Sequence, residues 1–153
     1  MNKFEEKLRN FMKEHNIFAE FFSFEESCHS VKEAAQRINA EKNEIIKNIC
    51  FIDDKGEIIV AIVRGNDGIS SSKIMKLLST NIRMMTPEEI IEKTGYPCGG
   101  VPSFGFKALF LIDKKVMEKD FVYTSGGSEN SLIKISTKQL QNANNGRIAD
   151  IRK

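Results

Sequence analysis

Two apolar runs joined by a short turn constrain this chain more than any other feature. Lys47-Asn48-Ile49-Cys50-Phe51-Ile52-Asp53 reads as a strand, and Glu57-Ile58-Ile59-Val60-Ala61-Ile62-Val63-Arg64 returns as a second. Asp54-Lys55-Gly56 between them is turn chemistry, so the pair is expected to form an antiparallel hairpin. A fold built around it must contain a sheet with an antiparallel part.

Helices and further strands alternate around this hairpin. Phe4, Leu8, Phe11 and Met12 fall at helical spacing with Lys and Glu between them, which predicts an amphipathic helix from Phe4 to His15. The aromatic stretch Phe18, Phe21, Phe22 and Phe24 suits an early strand. Ser30 with Glu33 forms a capping-box pattern ahead of Val31, Ala34, Ala35 and Ile38, which mark one apolar face. A short helix is expected over Ser70 to Leu78 and a short strand over Ile82 to Met85. Thr86-Pro87-Glu88-Glu89 combines an N-cap, Pro at N1 and Glu at N3, and Gly95 ends that helix. Ala108 to Asp113, Phe121 to Thr124 and Leu132 to Ile135 read as strands. Ser136 caps a last helix, and Ile148 to Ile151 returns as a final short strand.

No repeat, low-complexity tract or long linker interrupts these signals. The expected fold is one domain over residues 1–153 of α/β (α+β) type. It has a mixed, largely antiparallel sheet flanked by helices, and residues 1–29 form an N-terminal helical and strand extension. A chain of 153 residues can bury a core without disulfides or metals. Cys28, Cys50 and Cys98 are odd in number and widely spaced, with no Cys-x-x-Cys pair, so they read as reduced thiols. His15 and His29 add no metal-ligand spacing, and the adjacent pair Cys28-His29 would point apart on regular structure. No metal or cofactor is expected. No apolar run is long enough to span a membrane and the N-terminus has no signal-peptide pattern, which leads to a cytoplasmic expectation. The net charge of +2 is compatible with an RNA end as substrate and does not itself argue for one.

Three features can carry chemistry. Alternation puts Lys47, Ile49 and Phe51 on one face of their strand. Such a lysine either snorkels at the strand end or points into a pocket, and pattern alone favours snorkelling. Tyr96 to Gly105 holds three Gly and two Pro in ten residues, so it cannot be a regular element. Within it Gly99, Gly100, Val101, Pro102, Ser103 and Gly105 form either a rigid array of N–H groups suited to an oxyanion or an ordinary connection. Ser125-Gly126-Gly127-Ser128 is either a hairpin loop or a second wall of a site. Phosphate-loop and nucleophile-elbow motifs are both missing, and no Cys/His/Asp set for nucleophilic catalysis is evident.

In this order, these segments resemble the YbaK/prolyl-tRNA-synthetase editing-domain family from about Ser30 to Asp150. Ser30 to Ala35 resembles its first motif helix. Glu44 to Phe51 resembles the segment with its functional lysine, which would be Lys47. Thr94-Gly95-Tyr96 with Gly99 to Gly105 is similar to its most specific motif, and Phe121 to Gly127 with Leu132 to Leu140 to its closing strands, loop and helix. Two departures stand out: Asn39 where many relatives have Gly, and Pro102-Ser103 where many have Ser then Pro.

The resemblance implies a free-standing aminoacyl-tRNA deacylase that removes a small amino acid from mischarged tRNA. It would use no cofactor, no DNA and no membrane, and it allows a synthetase as a second partner. Lys47 would be the catalytic residue. Gly99, Gly100, Val101, Pro102, Ser103, Gly105, Gly126, Gly127 and Ser128 would bind substrate, with N–H groups of both loops facing the oxyanion. Cys98, beside the glycine pair, either lines the pocket or is a passive loop thiol, and the sequence favours the second. A non-catalytic aminoacyl- or tRNA-binding module that partners a synthetase is the alternative.

Overall fold

The computed structural model describes residues 2–28 and 30–153. His29, the neighbour of Cys28, lies outside the described residues.

Helix α1 (Lys3–Glu14) opens with a capping box between Asn2 and Glu5 and buries Leu8 and Met12. Strand β1 (Ala19–Ser23) follows, then α2 (Val31–Ile38). The Ser30 hydroxyl accepts from Glu33 N–H at 3.1 Å, as the capping pattern requires. Helix α2 ends at Asn39 in the left-handed conformation, φ 54°. Asn is among the few side chains that tolerate this region, which accounts for its standing at a position where Gly also serves.

The hairpin forms as expected from β2 (Ile46–Asp53) and β3 (Ile58–Arg64), closed at Gly56 with φ +81°. The Asp53 carboxylate accepts from the N–H groups of Lys55 and Glu57, which fixes the turn. Next come α3 (Ser71–Leu78), β4 (Ile82–Met84), α4 (Pro87–Thr94) and β5 (Leu109–Asp113). The chain ends in β6 (Phe121–Ser125), β7 (Ser131–Ser136), α5 (Thr137–Asn144) and β8 (Arg147–Ala149).

The strands divide into two sheets where the sequence suggested one. A five-stranded mixed sheet has the order β4-β2-β3-β5-β8, and a three-stranded antiparallel sheet has the order β1-β7-β6. Four of the strand pairs are antiparallel, and β3–β5 and β5–β8 are parallel. The split follows from burial. Val122, Ile133 and Ile135 of the small sheet share one core with Cys50, Ile52, Val60, Ile62 and Ile112 of the large sheet. Ile59, Ala61, Val63 and Leu111 face the other way, against Ile74 of α3 and Ile151. Being covered on both faces, β3 and β5 read as continuous apolar runs without alternation.

Backbone meets backbone where the two glycine-rich segments touch. A Cβ on Gly100 would lie 2.8 Å from Ser128 Cα and 2.9 Å from the Gly127 carbonyl oxygen. Gly127, at φ +103°, sits as closely against the Phe4 carbonyl of α1. Helix α1 thus backs one loop and the loop backs the other. We expect Gly100→Ala to destabilise the fold by about 1–3 kcal/mol, because neither backbone can yield. Gly68→Ala should stay within about 0.5 kcal/mol, since its Cβ would meet only the flexible side chain of Lys153. Urea unfolding midpoints of the two variants check this.

Candidate active site

A cleft of about 480 Å³ opens where β2 runs beyond the end of its short neighbour β4. Lys47 to Cys50 form its floor. Ser30, Val31 and Ala34 at the start of α2 make one wall, and Met84, Met85, Pro87 and Ile90 make another. Cys98, Gly99 and Val101 of the glycine-rich loop and Ser125, Ser131 and Leu132 of the small sheet close it.

Lys47 is the one charged side chain among the described residues lining this cleft. It is half-buried and, among the described residues, makes no ion pair or hydrogen bond. The register sets it opposite Val63, on the face shared with Ile49 and Phe51, as alternation predicts. Its place at the open strand edge gives that face access to the cleft. Pattern could not show this, because neighbouring strands decide where an edge is open.

The loop wall is built by a turn. Gly100 N–H donates to the Pro97 carbonyl at 2.9 Å, and Gly99 occupies the third turn position with φ +87°. That geometry is a type II turn, which requires Gly there. Among the described residues the N–H groups of Gly99 and Val101 have no partner, whereas that of Gly100 is spent on the turn.

Several residues expected at the site stand behind it. Pro102 and Ser103 are buried beneath the loop. The Ser103 hydroxyl bonds to Asn48 Oδ1 at 2.7 Å and to Thr124 Oγ1 at 2.8 Å, so it ties elements together and does not reach the cleft. Gly105, with φ +99°, faces Tyr96, Leu8 and Phe11 on the α1 side. Gly126 N–H donates to Ser131 C=O, Gly127 N–H to Ser125 Oγ, and Ser128 N–H to Ser131 Oγ. With those donors consumed inside the loop, the expectation that they face an oxyanion is corrected. Gly100 likewise packs against the second loop and does not line the cleft. Of the expected residues, Lys47, Gly99 and Val101 meet there.

Sequence reasoning missed Asn48. Its Nδ2 donates to Val101 C=O at 3.0 Å and to Thr124 Oγ1 at 2.9 Å. The signal was a polar residue at an inward position of an apolar strand, which must find partners when buried.

The thiols divide by exposure. Burial pushes the Cys50 thiol up to about 12, and the nearby Cys98 adds to the shift. Burial pushes Cys28 up to about 11 against the opposing charge of Arg37. Neither supplies a thiolate nucleophile near neutral pH. Among the described residues, no three His, Cys, Asp or Glu side chains come together as a metal site, and no helix is long and apolar enough to cross a membrane.

A family model described as aminoacyl-tRNA editing domain matches residues 25–143. The Bacillus subtilis protein YwhH is 29% identical over 119 residues, 76% of this chain and 76% of that protein. EbsC of Enterococcus faecalis, named as a proposed Cys-tRNA(Pro)/Cys-tRNA(Cys) deacylase, is 23% identical over 133 residues, 85% of this chain and 81% of EbsC. A solved structure described as that of a proposed trans-editing enzyme for prolyl tRNA synthetase superimposes with a TM-score of 0.93 at 25% identity. That match covers 100% of this chain and 99% of the other.

A thiol-reactive disulfide reagent at pH 8 should modify Cys98 quickly, because it alone of the three is exposed. Cys28 and Cys50 should react only after denaturation, bringing the count to three. Absorbance of the released thiol measures both phases.

Proposed function

The chain belongs to the aminoacyl-tRNA editing domain family, and on that premise we propose that it is a free-standing deacylase. It hydrolyses the ester of a small amino acid mischarged on tRNA. The observation that carries this reading is a mostly apolar cleft lined by Lys47, which among the described residues makes no ion pair or hydrogen bond, and by Gly99 and Val101, whose N–H groups have no partner among the described residues. A site with one cation and N–H donors is suited to stabilising charge on a carbonyl oxygen.

In this mechanism the 3′ end of the tRNA enters with its aminoacyl group in the cleft. Lys47 holds the acyl carbonyl or the adjoining ribose and phosphate. Water adds to the carbonyl carbon, and the N–H groups of Gly99 and Val101 receive the developing oxyanion. The ester C–O bond then breaks. The ribose oxygen leaves and takes up a proton, so the products are the free amino acid and uncharged tRNA. No protein nucleophile is required, and a ribose hydroxyl of the substrate can orient the water.

The need for such an enzyme is energetic. A synthetase gains only about 1–3 kcal/mol from one methylene, too little to exclude smaller or isosteric amino acids without a second sieve. The deacylase name of EbsC and the trans-editing description of the matching solved structure support the same reading. A synthetase partner is part of the proposal only as the source of the mischarged tRNA.

Losing one well-placed electrostatic donor costs about 10²–10³ in rate. Lys47→Ala should therefore lose on the order of 10²-fold in deacylation of the preferred mischarged tRNA, with its circular dichroism spectrum unchanged. A panel of mischarged tRNAs assayed with both proteins tests this. An unchanged rate in the variant removes Lys47 from the mechanism. Binding of tRNA without hydrolysis of any species would establish a binding module instead.

A further inference from the structure

Strand β2 crosses the cleft between the three residues that β4 covers and the bridge to β6 at Ile45. Successive residues of a strand direct their N–H and C=O groups to opposite sides. Ile45 C=O accepts from Gly65 N–H at 2.6 Å on the β3 side. Cys50 C=O accepts from Met85 N–H at 3.0 Å on the other side. The even-numbered residues of β2 therefore direct their peptide groups away from β3. Strand β4 pairs with Phe51 to Asp53 only. Asn48 thus directs both its N–H and its C=O away from β3, at a point between the last β4 contact, at Cys50, and the parallel bridge that joins Ile45 to Tyr123 of β6, and it lines the floor of the cleft.

We infer that the main-chain groups of Asn48 are the site that holds the backbone of the acyl substrate. The α-ammonium of the aminoacyl ester donates to Asn48 C=O, and the ester carbonyl accepts from Asn48 N–H. This inference rests on the deacylase reading. In a hydrogen-bonded antiparallel pair, two opposed residues exchange both N–H···O bonds. An aminoacyl ester carries the same donor and acceptor on either side of its α-carbon, so it can take the place of the missing strand residue.

Three features support the assignment. The surrounding walls are largely apolar, through Val31, Ala34, Met85 and Ile90, so peptide groups left unmatched there are costly and a ligand that matches them is favoured. Asn48 is held rigidly, since its side chain is committed to Val101, Ser103 and Thr124 on the far side. Its peptide groups are therefore preorganised, with little freedom to lose on binding. Lys47 precedes Asn48 directly, so the cation and the strand-edge groups come from adjacent residues. The edge reads what all aminoacyl groups share, which leaves the choice among side chains to the cleft walls.

The test uses two hydrolysis-resistant probes with the folded, ¹⁵N-labelled protein. One is 3′-aminoacylamino-3′-deoxyadenosine bearing the amino acid that the deacylation panel shows to be removed. The other is its counterpart lacking the α-amino group. We expect the first probe to shift the Asn48 amide resonance more than its β2 neighbours and to slow its hydrogen exchange. The second probe should bind at least about 10-fold more weakly, as loss of a hydrogen bond from a charged donor implies. If the first probe shifts Lys47 and Gly99 but leaves the Asn48 amide unmoved, or if both probes bind equally, the inference is overturned while the deacylase reading stands. If no tRNA in the panel is hydrolysed and an alanyl probe does not bind, both are overturned together.

Discussion

The carboxamide of Asn48 joins three parts of the molecule. It reaches from the large sheet to the carbonyl of Val101 in the glycine-rich loop and to the hydroxyl of Thr124 in the small sheet, and it accepts from Ser103. Apolar packing between the sheets is non-directional and would tolerate sliding. A satisfied polar network does not tolerate it, because each broken bond leaves a buried group costing about 1–3 kcal/mol. Ser103 and Thr124 are fully buried, so their partners cannot be replaced by bulk water. The network therefore fixes the distance between the lysine on β2 and the loop that faces it.

That distance matters because the chemistry available is electrostatic. Cys50 and Cys28 are kept as thiols by the apolar surroundings that also line the cleft. The same surroundings lower the local polarisability and strengthen whatever charge interactions Lys47 makes. One environment thus keeps the two buried thiols protonated and strengthens the cation. Donors in such a site act by being already in place, so their spacing has to be set by the fold and not by the substrate.

The elements themselves were legible because local signals agree with the tertiary structure. The capping box of Thr86 and Glu89 forms, Gly95 ends α4 with φ +81°, and Ser136 caps α5. The division into two sheets was not legible, since it depends on which strands pair across long separations, as β1 does with β7. The two glycine-rich segments were visible as segments but not by role. Composition marks glycine where backbone must approach something closely, without saying whether that is a ligand or another loop. For Gly99 it is the cleft; for Gly100 and Gly127 it is neighbouring backbone. The exchange of order at Pro102-Ser103 shows in the sequence only as a departure from the family's pattern. In the fold it places a hydroxyl within 2.7 Å of Asn48, behind the cleft wall.

The shortness of β4 ties these points together. An open strand edge invites pairing with other chains, and proteins usually cover or interrupt it. Here β4 covers three residues of β2 and then turns into α4 at Thr86-Pro87, where proline removes the N–H that would continue the ladder. The remainder of β2 is bridged by β6 at Ile45 and otherwise hidden from other chains by α2, by Met84 and Met85, and by the loop at Gly99. What is left is an edge too enclosed for a foreign strand and wide enough for a small group. A longer β4 would satisfy more backbone hydrogen bonds and erase the cleft, so the fold forgoes that pairing at the same place where it sets the lysine.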